Sequence, residues 1–185
     1  MRRLWAGALL AAVVAAAGCG GGGRGGSLPD GAGVAPASSI AFVNVNTDFS
    51  SDQWKQVAEL AGHFPGTPLL IAQFKKETGL SLDDVKPALG PETDAVWLDA
   101  RNNGDDVVVL TKPDSKAKLD TLLEKGRSPG EAMPVTVQVG DWVAISNSKA
   151  LLDRFKTASE GDKLSGDNDF KDAFEKLDPD SSVRA

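Results

Sequence analysis

The feature that most limits the fold is a strand–strand–helix pattern that occurs twice in the middle of the chain. Thr93 to Ala100 (TDAVWLDA) and Asp106 to Lys112 (DVVVLTK) read as strands. They are joined through Arg101-Asn102-Asn103-Gly104, a hairpin signal. Pro113-Asp114 then opens a helix carrying Leu119, Leu122 and Leu123. The pattern returns at Pro134 to Val139 (PVTVQV), where Val alternates with Thr and Gln as on a strand with one buried face. Gly140-Asp141 turns that strand into Trp142 to Ser146 (WVAIS), and Ser146 or Ser148 caps a helix with Leu151, Leu152 and Phe155. Hairpins joined by helices predict an antiparallel sheet of the α+β class, ββα-ββα, with helices mainly on one face.

A helical segment precedes this unit. Ile40 to Asn46 (IAFVNVN) reads as a strand, and Asp52 as the cap of a helix with Trp54, Val57, Ala58 and Ala61 at helical spacing. Pro65-Gly66 breaks it, Thr67-Pro68 restarts a helix with Leu70 and Phe74 on one face, and Gly79 ends that one. Ser81 with Asp84 has the form of a capping box, opening a short helix that stops near Gly90. A last helix from Asp169 carries Phe170, Ala173, Phe174 and Leu177 before Asp178-Pro179-Asp180 stops it. The expected order is β-α-α-α-β-β-α-β-β-α-α. Ser181 to Ala185 begins what could be another strand. The abrupt end fits a truncated chain, a missing edge strand or a frayed tail.

The first residues carry an export signal. Met1-Arg2-Arg3 is a basic n-region, and Leu4 to Ala17 is an apolar or small-residue run of 14 residues. That is short of the ~20 needed to span a bilayer, and fits a secretory h-region. Ala16-Ala17-Gly18-Cys19 follows. It resembles the lipobox of bacterial lipoproteins, with Ala16 where that family usually carries Leu. The resemblance implies cleavage between Gly18 and Cys19 and a diacylglyceryl group on the Cys19 thiol. The alternative is an ordinary secretory signal cut near Ala17, with Cys19 idle. Two acyl chains are enough for stable anchoring. Gly20 to Pro36 (GGGGRGGSLPDGAGVAP) has no periodicity and reads as a flexible tether. The expected organisation is residues 1–18 as signal peptide, 19–36 as lipidated Cys and tether, and 37–185 as the α+β domain.

Charge and composition exclude several classes of function. With 41% apolar and 25% charged residues the chain has ordinary globular composition. Twenty basic against 26 acidic residues give a net charge of −6, without the basic footprint of a nucleic-acid binder. Loss of Arg2 and Arg3 would make it 18 − 26 = −8, so the lipid rather than a protein face would hold the body at an anionic membrane. One Cys excludes a disulfide framework, and one His excludes multi-His metal sites.

Several stretches are similar to the DUF3352 family of bacterial envelope proteins. They are Pro36 to Asn46, Gln53-Trp54, Phe64-Pro65-Gly66, Leu80 to Gly90 (LSLDDVKPALG) and Val107 to Lys118 (VVVLTKPDSKAK). The likeness covers most of residues 36–185. It implies the architecture and an envelope location. Family members are usually longer, in keeping with a truncated chain. It implies no catalytic site.

Each candidate for chemistry has a plain structural alternative. His63 sits where a helix C-terminus favours it, with no motif around any Ser to complete a triad. Asp83-Asp84 and Asp105-Asp106 could pair as acid and base. The first pair also suits a helix first turn, and the second a hairpin end. Asp162 to Asp169 (DKLSGDND) is the densest acidic loop, but it fails the EF-hand spacing, and Asp167 reads as a helix cap. Trp54, Trp97 and Trp142 could line a groove, with core packing as the default. Lys116, Lys118 and Lys125 read as a solvated helix face. The expectation is a lipid-anchored extracytoplasmic protein, periplasmic or at the cell surface, whose partners are the membrane through its lipid and an envelope protein that the sequence does not identify. It has no cofactor and no nucleic-acid partner, and its role in the envelope is binding or structural, not enzymatic. The alternatives are a small-ligand or peptide receptor with a Trp-lined groove, and an enzyme whose site lies outside this chain.

Overall fold

The computed structural model describes residues 27–79, 81–100, 104, 106–127, 130, 132–178 and 181–185. Strands are β1 (Ala41–Asn46), β2 (Glu92–Trp97), β3 (Val107–Thr111), β4 (Val135–Val139), β5 (Trp142–Ser146) and β6 (Val183–Arg184). Helices are α1 (Asp52–Gly62), α2 (Thr67–Thr78), α3 (Leu82–Leu89), α4 (Lys116–Gly126), α5 (Lys149–Ala158) and α6 (Asn168–Phe174). The sheet order is β4-β5-β3-β2-β1-β6, and every pair is antiparallel. The α+β class and the expected element order hold. Ser181 to Ala185 does contain a strand, since β6 pairs with β1 through Asn44↔Arg184 and Val45↔Val183.

Helix starts follow side chains that can accept a hydrogen bond from the first turn. Ser51, not Asp52, caps α1, receiving the Trp54 amide, while Asp52 is the first helical residue. Ser115, not Pro113-Asp114, caps α4, and of the two serines proposed before α5 it is Ser148 that receives the Leu151 amide at 3.2 Å. Gly66 rather than Thr67 precedes α2, and Gly79 ends it in the left-handed region at φ 69°. The Ser81–Asp84 capping box is complete, with both reciprocal bonds present. Its hydroxyl and backbone bonds from Ser81 hold the Asp84 carboxyl below the usual range.

The layering differs from the expectation of helices mainly on one face. Strand pairing lines up Phe42, Val96, Val108, Leu110 and Ala144 on one side of the sheet. That side is covered by Leu151, Leu152 and Phe155 of α5, Phe174 of α6, and Leu164. The opposite side presents Val109, Val143 and Ile145, covered by Ala88 of α3 and by Leu119, Leu122 and Leu123 of α4. Both faces are therefore helix-covered. The reason lies in β3 and β5, which are buried along almost their whole length (VVVLT and WVAIS) and need a partner on each side. Strand β4, at the edge, keeps the alternation, with Val135, Val137 and Val139 packed inward.

The folded body also begins earlier than Ala37. Asp30–Gly33 forms a 3-10 turn, Ala32 and Ala35 are wholly buried, and the Ala37 amide bonds the Asp162 carbonyl at 2.8 Å. The expected tether thus loses its second half to the core, while residues 19–26 lie outside the described residues. Small residues explain both readings. A Cβ on Gly31 would collide with the Asp94 carboxyl, so this glycine allows close approach rather than flexibility.

Candidate functional site

Asp94 is the least expected residue in the core. Strand β2 places Glu92 and Asp94 two residues apart, hence on the same face of the sheet. Pairing sets them opposite Asn46 and Asn44 of β1. Asp94 is 1% exposed, and its Oδ1 accepts a hydrogen bond from Asn44 Nδ2 at 2.8 Å. Its Oδ2 is buried and accepts no hydrogen bond. Burial first, and then the Glu92 carboxylate, push the Asp94 carboxyl well above its ordinary value, partly offset by Asn44 and Arg184. A proton on Asp94 removes the cost of a desolvated charge at the buried Oδ2, which is why burial favours the protonated form.

Glu92 and Arg184 reach from this cluster to the N-terminal lead-in. Glu92 Oε1 accepts the Gly31 amide at 2.8 Å and Oε2 accepts the Asp30 amide at 3.2 Å. Arg184 donates from Nε and Nη2 to Asn44 Oδ1, at 3.2 and 2.9 Å, and from Nη1 to the Ser27 carbonyl at 3.2 Å. Its guanidinium lies 4.8 Å from the centre of the Phe174 ring. Burial draws its pKa down, while Glu92 and Asp94 oppose that shift. The cluster therefore clamps three parts of the chain: residues 27–31, the centre of the sheet and the last strand. The turn at Gly31 covers Asp94.

Most of the candidates from the sequence are dispersed. Gly18 and Cys19 lie outside the described residues, as does Asp105. His63 is the exposed C-cap of α1, its amide bonded to the Leu60 carbonyl. Asp83 faces Lys86 at 4.0 Å in the first turn of α3, and Asp84 closes the capping box. In the acidic loop, Asp162 uses its carbonyl to hold Ala37, and Asp167 Oδ1 caps α6 through the Phe170 amide at 2.8 Å. Among the described residues no three His, Cys, Asp or Glu side chains gather as a metal site would require.

The three tryptophans are not brought together. Trp142 is buried in the core, Trp97 donates to the Gly104 carbonyl at 3.0 Å, and Trp54 donates to the Asn46 carbonyl at 2.9 Å. Asn46 and Trp97 sit at opposite ends of the β1–β2 ladder. Two shallow depressions do exist. One of about 310 Å³ lies between α3 and α4, lined by Asp84, Ser115, Lys118 and Lys125. The other, about 190 Å³, lies beside β1 and is lined by Ile40, Phe42, Phe170 and Leu177. Neither contains a tryptophan. Lys116 pairs with Asp120 one turn on, at 2.8 Å, on an exposed face with Lys118 and Lys125.

Asn44, Glu92, Asp94 and Arg184 escape a reading by motif because they form none. The available signal was Glu92 and Asp94 on one face of a strand whose other residues read as core. Among the described residues no helix is long and apolar enough to cross a membrane. Comparison of the chain with protein-family models, with curated proteins and with solved structures found no match.

Proposed function

We propose that this chain is a lipid-anchored extracytoplasmic protein of the bacterial envelope with a binding or structural role and no enzymatic one. One observation carries the reading: a basic start, an apolar run from Leu4 to Ala17, and Gly18-Cys19 immediately after it, with no second cysteine in the chain. A thiol acylated at Cys19 makes the membrane the first partner. Without Arg2 and Arg3 the body is acidic at 18 − 26 = −8 and is repelled by an anionic surface, so the lipid supplies the attachment. No family model matches, so the reading rests on these residues and not on the DUF3352 likeness.

The clamp around Glu92 suits such a role. A protein pulled from its N-terminus needs that end fixed to its core. Here the backbone of residues 27–31 is tied to the sheet by two acceptor oxygens of Glu92 and one donor of Arg184. Mass spectrometry of the mature N-terminus tests the anchor. Wild type should begin at Cys19 and carry a diacylglyceryl mass, and Cys19→Ser should lose it. An unmodified Cys19 overturns the reading.

A further inference from the structure

The corner between α1 and α2 is apolar, exposed and uncharged. Leu60, Phe64, Leu69, Leu70 and Ile71 are each between 50% and 74% exposed, and all lie within two helical turns of the corner. The corner is held in shape by hydrogen bonds, the Thr67 hydroxyl to the Ala61 carbonyl at 2.6 Å and the Thr67 amide to the Phe64 carbonyl at 3.0 Å. Helix α1 buries none of its residues, and it is tied to the body at its first turn, where the Trp54 ring packs at a tilt against Phe49 and its indole N–H donates to the Asn46 carbonyl. Residues 60–74 contain no Asp, Glu, Lys or Arg, in a chain that is 25% charged. Over Asp52–Gly79 three lysines balance three acids, so the net charge of −6 is carried elsewhere. Exposed apolar surface concentrated in this way marks an interaction site.

The tether selects the occupant. Asn46, from whose carbonyl α1 hangs, pairs with Glu92, and Glu92 holds the amides of Asp30 and Gly31. The lead-in from Cys19 and the stem of the apolar corner therefore meet the sheet at the same end. Cys19 and Ser27 are eight residues apart, a reach of at most about 28 Å at ~3.5 Å per residue. A lipid on Cys19 keeps Ser27 within that distance of the bilayer, and Asp30 and Gly31, a few residues on, join this end of the sheet. An uncharged apolar corner on a tethered body meets no charge repulsion there, whereas the rest of the acidic surface does.

We propose that the α1–α2 corner, with Phe64, Leu69, Leu70 and Ile71, inserts into the lipid surface and orients the body on the membrane. The proposal rests on Cys19 being the anchor. The anchor supplies the affinity and the corner supplies the orientation.

The test uses the full lipidated protein on vesicles of phosphatidylethanolamine and phosphatidylglycerol. A thiol introduced by Leu70→Cys takes an environment-sensitive fluorophore, because acylation has consumed Cys19. A second label at Ala100→Cys marks the opposite, Trp97 end of the β1–β2 ladder. Nitroxide-bearing lipid should quench the residue 70 label by roughly twofold or more and leave residue 100 unchanged, as expected of a side chain in the acyl boundary. The same label through Leu69→Cys should repeat the result. Vesicle-held protein with residue 70 unquenched overturns the proposal, and so does equal quenching at both sites. A residue 70 label that is buried without vesicles, in a concentration-dependent way, assigns the corner to a second copy and also overturns it. The N-terminal mass is read on the same sample. A free Cys19 there removes the anchor, whereas an acylated Cys19 with residue 70 in water removes the corner alone.

Discussion

Asp94 holds its proton to a higher pH than an exposed aspartate does. Its raised pKa makes the protonated form the one that fits the fold. A group raised in the folded state contributes its full stability below the unfolded value, near 4 for a carboxylate, and loses it as pH climbs through the folded value. Asp94→Asn supplies the same donor permanently, through an amide that can face Glu92. The wild-type protein should therefore lose stability relative to Asp94→Asn as pH rises from about 4, and the difference should level off once Asp94 has ionised. Urea midpoints of the two proteins across that range are the measurement. Parallel pH profiles would show that Asp94 does not carry the proton. Asp48, Asp52 and Asp84 are shifted the opposite way, so they lose their contribution on acidification and act in a lower pH window. The strand read from the sequence as Thr93 to Ala100 runs from Glu92 to Trp97, and that earlier start is what puts Glu92 on the same face as Asp94. No local pattern shows that a turn at Gly31, 61 residues before Glu92, covers Asp94.

Helix boundaries were legible wherever a serine or aspartate stood before an apolar period. Ser81, Ser148 and Asp167 all accept the amide three residues on, as their positions imply. The choices that failed, Asp52 and Pro113-Asp114, each have a serine next to them or one residue further on, at Ser51 and Ser115. A cap needs its backbone extended and its oxygen over the first turn, a condition set by the approach of the chain and not by residue type alone. Ser148→Ala removes the hydroxyl that accepts the Leu151 amide at the start of α5 and should cost about 1 kcal/mol in chemical denaturation. Helix α5 buries Leu151, Leu152 and Phe155 against the sheet, so its loss of stability should appear in the global transition and not as local fraying. A two-step transition would contradict that coupling.

Across the whole molecule, Arg184 joins the end of the chain to its lead-in. Its removal by Arg184→Ala takes away two bonds to Asn44, one to the Ser27 carbonyl and the cation over Phe174. The change should cost about 1–3 kcal/mol, the usual range for charged hydrogen bonds lost from a partly buried site. It should also speed amide exchange at Gly31 and Asn46 more than at Leu110 in the sheet centre. Uniform acceleration at all three would mean that Arg184 contributes to global stability without clamping the lead-in.

The sequence by itself determined the class and the element order. These follow from local rules: the period of apolar residues and the turn formers between them. Only the tertiary structure decided which faces of the sheet are covered, where the body begins, and that Asn44, Glu92, Asp94 and Arg184 meet. The reason is sequence separation. Arg184 and Asn44 are 140 residues apart and Gly31 and Glu92 are 61 apart, and no local pattern encodes a contact made only when β1, β2 and β6 lie side by side.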